Sequence, residues 1–166
     1  MLVVRLVLSR LDFGNSALVG ISAYMLHRLE SVLHASAWLI YRMNRSEHIT
    51  EALISLHWLW VPERVQFKIA MLTYKVLHGK ASRYLGPLNR VADLPGRRAL
   101  RSASSSRLVV PTFRLSTVGS RSFNVSAPRI WNRLPEDVAS APSLSTFRHF
   151  LKTYFFQQSY PDVVVH

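Results

Sequence analysis

The chain has 166 residues, of which 49% are hydrophobic, and its 21 Lys and Arg residues against 9 Asp and Glu residues give a net charge of +12. A chain of this length folds as one domain or as one domain with a tail, and it hides roughly two-thirds of its unfolded surface. The absence of cysteine excludes disulfide bonds, cysteine-ligated zinc and thiol nucleophiles, and it fits an intracellular protein.

The positive charge attracts phosphate groups and anionic lipids. Only 4 of the basic residues are lysines and the other 17 are arginines. A guanidinium group can donate two parallel hydrogen bonds to phosphate oxygens, which the ammonium group of lysine cannot do with the same geometry. A basic protein without any nucleic-acid role has the same charge, so charge alone leaves both interpretations open.

The apolar segment Met1–Leu8 is too short to span a bilayer, and Arg5 interrupts it. It also lacks the basic region and the small-residue cleavage site of a signal peptide. Ser31–Tyr41 is equally short and includes His34. We therefore expect no transmembrane helix.

Helices are predicted through the first 80 residues. Between Leu18 and Tyr41, apolar residues recur every three or four positions, which predicts a helix with one buried face. Ser22 is suited to cap a helix at this point. The residues predicted to point inward are Met25, Leu29, Val32, Leu33, Ser36, Leu39 and Ile40.

Three more helices are predicted before residue 86. One runs from about Glu47 to His57, with acidic residues in its first turn. The next has Pro62 in its first turn, continues to Leu77 and stops near Gly79. A very short helix is expected at Ala81–Leu85. The residues predicted inward on the Pro62 helix are Val65, Ile69, Leu72 and Val76.

The composition changes after residue 86. Residues 87–106 combine proline, glycine, serine and arginine, which is typical of a mobile basic linker. The net charge is +9 from Lys80 onward and +3 before it. The positive charge is therefore concentrated in the C-terminal half.

Beyond the linker, Leu108–Pro111 and Phe113–Val118 are predicted to pair as a short β-hairpin. Helices are predicted at Ala127–Leu134 and from Ser143 to about Gln157. The inward stripe of the last helix is predicted to be Leu144, Phe147, Phe150, Leu151 and Phe155.

These elements predict a mainly α fold. Its parts are a helical, bundle-like region at 1–86, the basic linker at 87–106, a small C-terminal α unit with a short β-hairpin at 107–158, and a tail at 159–166. No internal repeat is evident.

No catalytic constellation is evident in the sequence. Polymerases of the two-metal type need paired aspartates, whereas the four aspartates of this chain are far apart: Asp12, Asp93, Asp137 and Asp162. His27 and His34 can share a helix face, but two such histidines are more often packing residues than a metal site. We expect no enzymatic activity, no metal and no cofactor.

Aromatic residues stand beside basic ones at four places in the C-terminal half. This mixing is typical of surfaces that stack bases and clamp phosphates. At helical spacing, a core role for the aromatic residues is favoured over a binding role. The four pairs are Phe113 with Arg114, Phe123 with Arg121, Trp131 with Arg129, and Phe147 with Arg148.

Six segments carry a family resemblance. The strongest is Ala127–Pro135, with the sequence Ala-Pro-Arg-Ile-Trp-Asn-Arg-Leu-Pro, and the most specific of the early ones is Glu47–Leu59. The others are Ser9–Ile21, Leu29–Ile40, Val65–Gly79, and Leu100–Ser104 with Leu108–Pro111. Taken in chain order, from Ser9–Ile21 to Ala127–Pro135, the six resemble the C-terminal end of the polyprotein of LINE-type, jockey-like non-LTR retrotransposons.

The resemblance implies a helical thumb and post-thumb region that helps to grip the RNA template and the DNA target strand, with the polymerase chemistry upstream and no catalytic residue in this stretch. The chain departs from the family pattern at His34, Trp38, Trp60 and Thr112, which suits a decayed copy. Without the polymerase core to cover it, the apolar face of Leu18–Tyr41 is expected to stay partly exposed. We therefore expect marginal stability or self-association.

The predicted function is weak, nonspecific binding of RNA or DNA by a non-catalytic fragment of an RNA-directed DNA polymerase. One alternative is a basic, apolar protein that associates with anionic membranes or with a protein partner. Another is a decayed reading frame without a function. The residues predicted to bind nucleic acid are Arg97, Arg98, Arg101, Arg107, Arg114 and Arg121.

Overall fold

The chain is mainly α-helical, as predicted. A computed structural model describes residues 2–14, 18–44, 46–94, 106–114 and 119–163. Within these ranges there are seven α-helices and no β-strand. The helices are α1 (Leu2–Leu11), α2 (Ala23–Tyr41), α3 (Ile49–Ser55), α4 (Val61–Leu77), α5 (Phe123–Trp131), α6 (Glu136–Ala139) and α7 (Leu144–Ser159).

The ends of α2 and α4 lie close to their sequence signals. α2 begins directly after Ser22, whose backbone is extended, although its side chain makes no capping hydrogen bond. α4 has Pro62 in its first turn, where the missing N–H is not needed. The chain leaves α4 through Gly79, which has a left-handed φ of +65°.

Other helices differ from their predicted bounds. α3 is shorter than predicted and ends at Ser55. His57, two residues further on, has a φ of 54°, and a right-handed helix cannot continue through a residue with a positive φ. α5 begins at Phe123, ahead of the predicted Ala127. The very short helix expected at Ala81–Leu85 is a 3-10 helix at Arg83–Leu85. The described residues also form 3-10 helices at Val91–Asp93 and Gly119–Arg121.

The described residues do not form the predicted β-hairpin. Leu108 instead makes an isolated antiparallel bridge with Arg90, beside two backbone hydrogen bonds of 2.9 Å. Its partner therefore comes from the predicted linker and not from Phe113–Val118, of which residues 115–118 lie outside the described ranges. Pro111 lacks the N–H that a longer ladder at this edge requires.

The chain divides into two compact units. The terminal unit comprises Met1–Phe67 and Lys152–His166, and the central unit comprises Lys68–Leu151. The divisions fall inside α4 and α7, whereas the domain boundaries predicted from composition lie at 86 and 106.

In the terminal unit, α1 and α3 both pack against α2. The guanidinium of Arg64 donates two hydrogen bonds to the Asp12 carboxylate, at 2.7 and 3.0 Å, in the bidentate geometry that makes such pairs strong. The Tyr160 hydroxyl donates to the Trp58 carbonyl at 2.7 Å. Burial raises the pKa of Tyr160 above its ordinary value, so this phenol stays a donor.

The apolar stripe of α2 is wider than the face that its neighbours cover. Leu33 and Ser36 are buried as predicted. Met25, Val32 and Leu39 were predicted inward, and this is wrong, since they are 48%, 47% and 64% exposed. These three residues are spaced seven apart, so they form one row along the helix. The exposed row agrees with the expectation that part of this helix face stays uncovered.

Two buried polar atoms on α2 lack hydrogen-bond partners among the described residues. They are Nε2 of His34 and Nε1 of Trp38. The His34 ring makes edge contacts with the rings of Trp38 and Trp60, at centroid distances of 6.1 and 5.2 Å. Burial, together with the charge of His27, lowers the pKa of His34.

The central unit has a core of stacked rings. The Phe147 ring lies between those of Tyr74 and Trp131, at centroid distances of 4.4 and 5.6 Å. Tyr74 also stacks on the exposed ring of His78 at 3.9 Å, and its hydroxyl donates to the Ala141 carbonyl at 3.2 Å. These contacts join α4 and α7 with the loop between α6 and α7.

Phe150 was predicted inward on α7, and this is wrong: it is 40% exposed, whereas Phe147 is fully buried. The two residues lie three positions apart, so their side chains point in directions about 60° apart around the helix. The covered face of α7 includes Phe147 and leaves much of Phe150 exposed.

We expect Phe147→Ala to lower the free energy of unfolding by about 3–5 kcal/mol, because it removes a fully buried ring and leaves a cavity. Phe150→Ala on the same helix is the matched control and should cost much less. Urea unfolding of both variants measures the difference. Equal losses would contradict this assignment of the core.

We also expect stability to fall as the pH drops below the ordinary histidine pKa of 6.5. The lowered pKa of His34 means that the folded state binds this proton less readily than the unfolded state. The stabilisation is therefore present above pH 6.5 and is lost as the pH falls through the lowered pKa. The measurement is urea unfolding at several pH values.

His34→Phe should weaken this pH dependence, because it removes the titrating group. His48→Gln, at an exposed position before α3, is the control and should keep it. The assignment to His34 would be wrong if the His34→Phe protein lost stability on acidification as steeply as the unmodified chain.

Candidate nucleic-acid interface

The positive charge is divided very unequally between the two units. The central unit, Lys68–Leu151, contains 14 Lys and Arg residues and 3 Asp and Glu residues, a net charge of +11. The rest of the chain contains 7 Lys and Arg residues and 6 Asp and Glu residues, which gives a net charge of +1. An interface for phosphate groups is therefore to be sought in the central unit.

The structure describes three of the six arginines predicted to bind nucleic acid. Arg107, Arg114 and Arg121 are all exposed. Arg97 and Arg98, together with Arg101, lie outside the described residues.

The backbone around Arg107 is held by the side chains of Trp131, the last residue of α5, and of Asn132, its C-cap residue. The Asn132 amide pairs with both backbone groups of Leu108, accepting from its N–H at 2.8 Å and donating to its carbonyl at 2.9 Å. Nε1 of Trp131 donates to the Ser106 carbonyl at 2.9 Å. Arg107 therefore projects into solvent from a backbone that is fixed on both sides.

Arg114 and Arg121 belong to segments that meet at Phe113. A Cβ atom on Gly119 would lie 2.9 Å from Cβ of Phe113, so this close approach needs glycine. The Arg129 guanidinium lies 4.9 Å from the centre of the Phe113 ring, within cation–π range. The half-buried Phe113 thus brings the segments of three arginines together.

Several exposed cations of the central unit were missed by the sequence prediction. That prediction favoured arginines that no fold demanded, and it selected neither Arg90 of the linker nor the cations within or directly after the helices. The exposed cations that it left out are Lys80, Arg83, Arg90, Arg129, Arg133 and Arg148.

These cations have few anionic partners. Within the described ranges, the side chains of Arg90, Arg107 and Arg114 form no hydrogen bond or ion pair. The carboxylate of Glu136, one of the 3 acidic residues of the unit, accepts a hydrogen bond from the Ser106 hydroxyl at 3.3 Å. The positive field of the unit is therefore little compensated internally, which is the condition for attracting a polyanion.

The aromatic residues between these arginines mainly build the core. Trp131 is 3% exposed and Phe147 is fully buried, so the core role favoured for them is confirmed. Phe113 is half-buried, so part of its ring packs in the core and part remains accessible for contact with a base. Binding at this surface would therefore depend on charge more than on base stacking.

Two absences apply only to the residues that the structure describes. No group of three His, Asp or Glu side chains is placed to hold a metal ion. None of the helices in these ranges combines the length and apolar character needed to cross a membrane.

Comparisons with known proteins add no relative. No protein family, no curated protein and no solved structure matches the chain. Any assignment of function therefore depends on the charges and geometry of the chain itself, together with the sequence segments quoted above.

Proposed function

We propose that the chain is a non-catalytic, thumb and post-thumb fragment of a retrotransposon RNA-directed DNA polymerase, and that it binds RNA or DNA weakly and without sequence specificity. The observation that carries this proposal is the net charge of +11 in the central unit. The six segments that resemble the retrotransposon family support the assignment to a polymerase.

The binding would come mainly from the release of counterions. Each phosphate that a Lys or Arg neutralises frees condensed ions, so affinity falls steeply with salt. Exposed arginines such as Arg107 and Arg114 suit this role, because they can form paired hydrogen bonds with phosphate oxygens. Phosphate contacts carry no direct sequence information, which is why the proposed binding is nonspecific.

We expect the triple variant Arg107→Ala, Arg114→Ala, Arg121→Ala to bind RNA more weakly than the unmodified chain. If each of the three arginines contacts a phosphate, the slope of log affinity against log salt falls by roughly 2–3. We expect the triple variant Arg97→Ala, Arg98→Ala, Arg101→Ala to bind RNA more weakly as well, with a similar fall in the slope. Fluorescence anisotropy over a salt titration measures both quantities.

The control is Arg5→Ala, Arg10→Ala, Arg28→Ala, which removes the same charge from exposed positions of the terminal unit. It should change affinity and slope much less. If all three triple variants weaken binding equally, the effect reports net charge and the proposed location is wrong. If the folded, unmodified chain binds neither RNA nor DNA, the proposed function fails.

The exposed row on α2 favours a second candidate function, which is association with another apolar surface. Met25, Val32 and Leu39 together form an apolar face of the kind that soluble proteins use for association. The partner is a second copy of the chain, another protein or an anionic membrane. A decayed copy without a function would show neither this association nor nucleic-acid binding.

We expect the chain to self-associate at micromolar concentration, and we expect Met25→Gln, Val32→Gln, Leu39→Gln to reduce this association by removing apolar surface. Sedimentation velocity measures it. Gln substitutions at exposed Ala35, Thr50 and Ser145 provide a control with the same number of changes. A clean monomer of the unmodified chain would refute self-association, and flotation with anionic vesicles then tests the membrane.

A further inference from the structure

The turn after α4, residues 78–87, forms a cleft that is not part of the interface described above. Its volume is about 400 Å³, which lies within the range of small-ligand sites. The cleft is lined by Val76, Gly79, Ala81, Ser82, Arg83, Gly86 and Pro87. All of these residues belong to the strongly basic central unit.

Two glycines shape the cleft. Gly79 has a φ of +65°, and the N–H groups of Gly79 and Lys80 donate to the carbonyls of Val76 and Lys75, which closes the end of α4 as a Schellman motif. A Cβ on Gly86 would lie 3.2 Å from Cγ1 of Val76. The far wall of the cleft therefore approaches α4 closely, and the exposed helix carbonyls already have backbone partners.

Two cations and an aromatic ring belong to residues that line the cleft or directly follow a lining residue in sequence: Arg83 lines it, Lys80 follows Gly79, and Tyr84 follows Arg83. Lys80 and Arg83 are exposed. Tyr84 follows Arg83 on the same 3-10 helix and is 83% exposed. Within the described part of the chain, none of these three side chains makes a hydrogen bond, an ion pair or a ring contact.

This combination has a specific chemistry. Val76, Ala81 and Pro87 offer apolar walls to the flat face of a base or to a sugar, while Arg83 and Ser82 offer hydrogen-bond donors. A free inorganic anion would use the cations but would leave the apolar walls and the Tyr84 ring without a role. The turn contains no acidic residue, so it does not suit a metal ion.

We propose that this turn binds one segment of single-stranded nucleic acid, with a base stacked on Tyr84, its neighbouring nucleoside in the cleft, and the phosphates on Lys80 and Arg83. The inference rests on the proposed function, because it assigns a preferred substrate to the same basic unit. The bases of a duplex are stacked on each other and present no free face to Tyr84, so the turn should favour single strands.

The test compares an oligouridine of about 12 nucleotides, a length within the range for single-strand sites, with a blunt-ended RNA duplex of about 12 base pairs that has no unpaired loop. We expect Tyr84→Ala to weaken binding of the single strand by about fivefold to a hundredfold, the usual loss for one stacked base, and to leave duplex binding nearly unchanged. Tyr84→Phe keeps the ring and should bind like the unmodified chain. Ala81→Phe fills the cleft without changing the charge and should also weaken single-strand binding.

Tyr24→Ala is the matched control, because Tyr24 is 69% exposed and lies beside Arg28 in the terminal unit. It should have no effect. Since Tyr84 is almost fully exposed, its replacement should not unfold the chain, and circular dichroism checks this.

The outcomes separate the two proposals. If the unmodified chain binds both probes and Tyr84→Ala changes neither, the inference about the turn is wrong while the proposed function stands. An equal loss for single strand and duplex also overturns it, since stacking of an unpaired base would not affect the duplex. If the unmodified chain binds neither probe, the proposed function fails and the inference fails with it.

Discussion

The stacked rings of Tyr74, Phe147 and Trp131 are the interaction on which the central unit depends. They bring three buried aromatic side chains together in a unit whose +11 charge opposes compaction through self-repulsion. The outer two rings also carry polar atoms that reach backbone carbonyls, Tyr74 to Ala141 and Trp131 to Ser106. Each of the two outer rings therefore buries apolar surface and also holds a loop by a hydrogen bond.

The same contacts explain why a basic surface can be presented by loops. Trp131, the last residue of α5, and Asn132, its C-cap residue, fix the backbone on both sides of Arg107, so that only its side chain remains to be ordered when a phosphate binds. Ordering a side chain costs less free energy than ordering a side chain together with its backbone. Phe113 acts in the same way for the segment of Arg114, through its contacts with Gly119 and Arg129.

The sequence predicted what depends on local pattern. The 3.6-residue periodicity and the signals at Pro62 and Gly79 were enough for α4, because those signals act within one turn of the helix ends. The exposure of Leu39 and Phe150 was not predictable in this way, since periodicity gives the direction of an apolar stripe but not how much of it the neighbouring helices cover.

Contacts between segments that are distant in sequence could not be predicted from local pattern either. The hairpin prediction paired Leu108 with the segment that follows it, whereas its bridge partner is Arg90 and its side-chain clamp is Asn132. Within the candidate interface, Arg107, Arg114 and Arg121, which the sequence predicts to bind nucleic acid, are all exposed. The cleft near Arg83 was missed, because the approach of Gly86 to α4 leaves no trace in spacing or charge.

The unequal charge of the two units bears on which surface can serve which partner. With a net charge of +1, the terminal unit can bring the apolar row of α2 against a second copy with little electrostatic cost. The central unit, at +11, would repel a copy of itself but is drawn to any polyanion. Added salt should therefore weaken nucleic-acid binding and strengthen self-association, since screening reduces the attraction to nucleic acid and the repulsion between copies of the chain. A nucleic acid that neutralised the central unit would likewise lower the repulsion between copies, so binding and self-association are expected to reinforce each other.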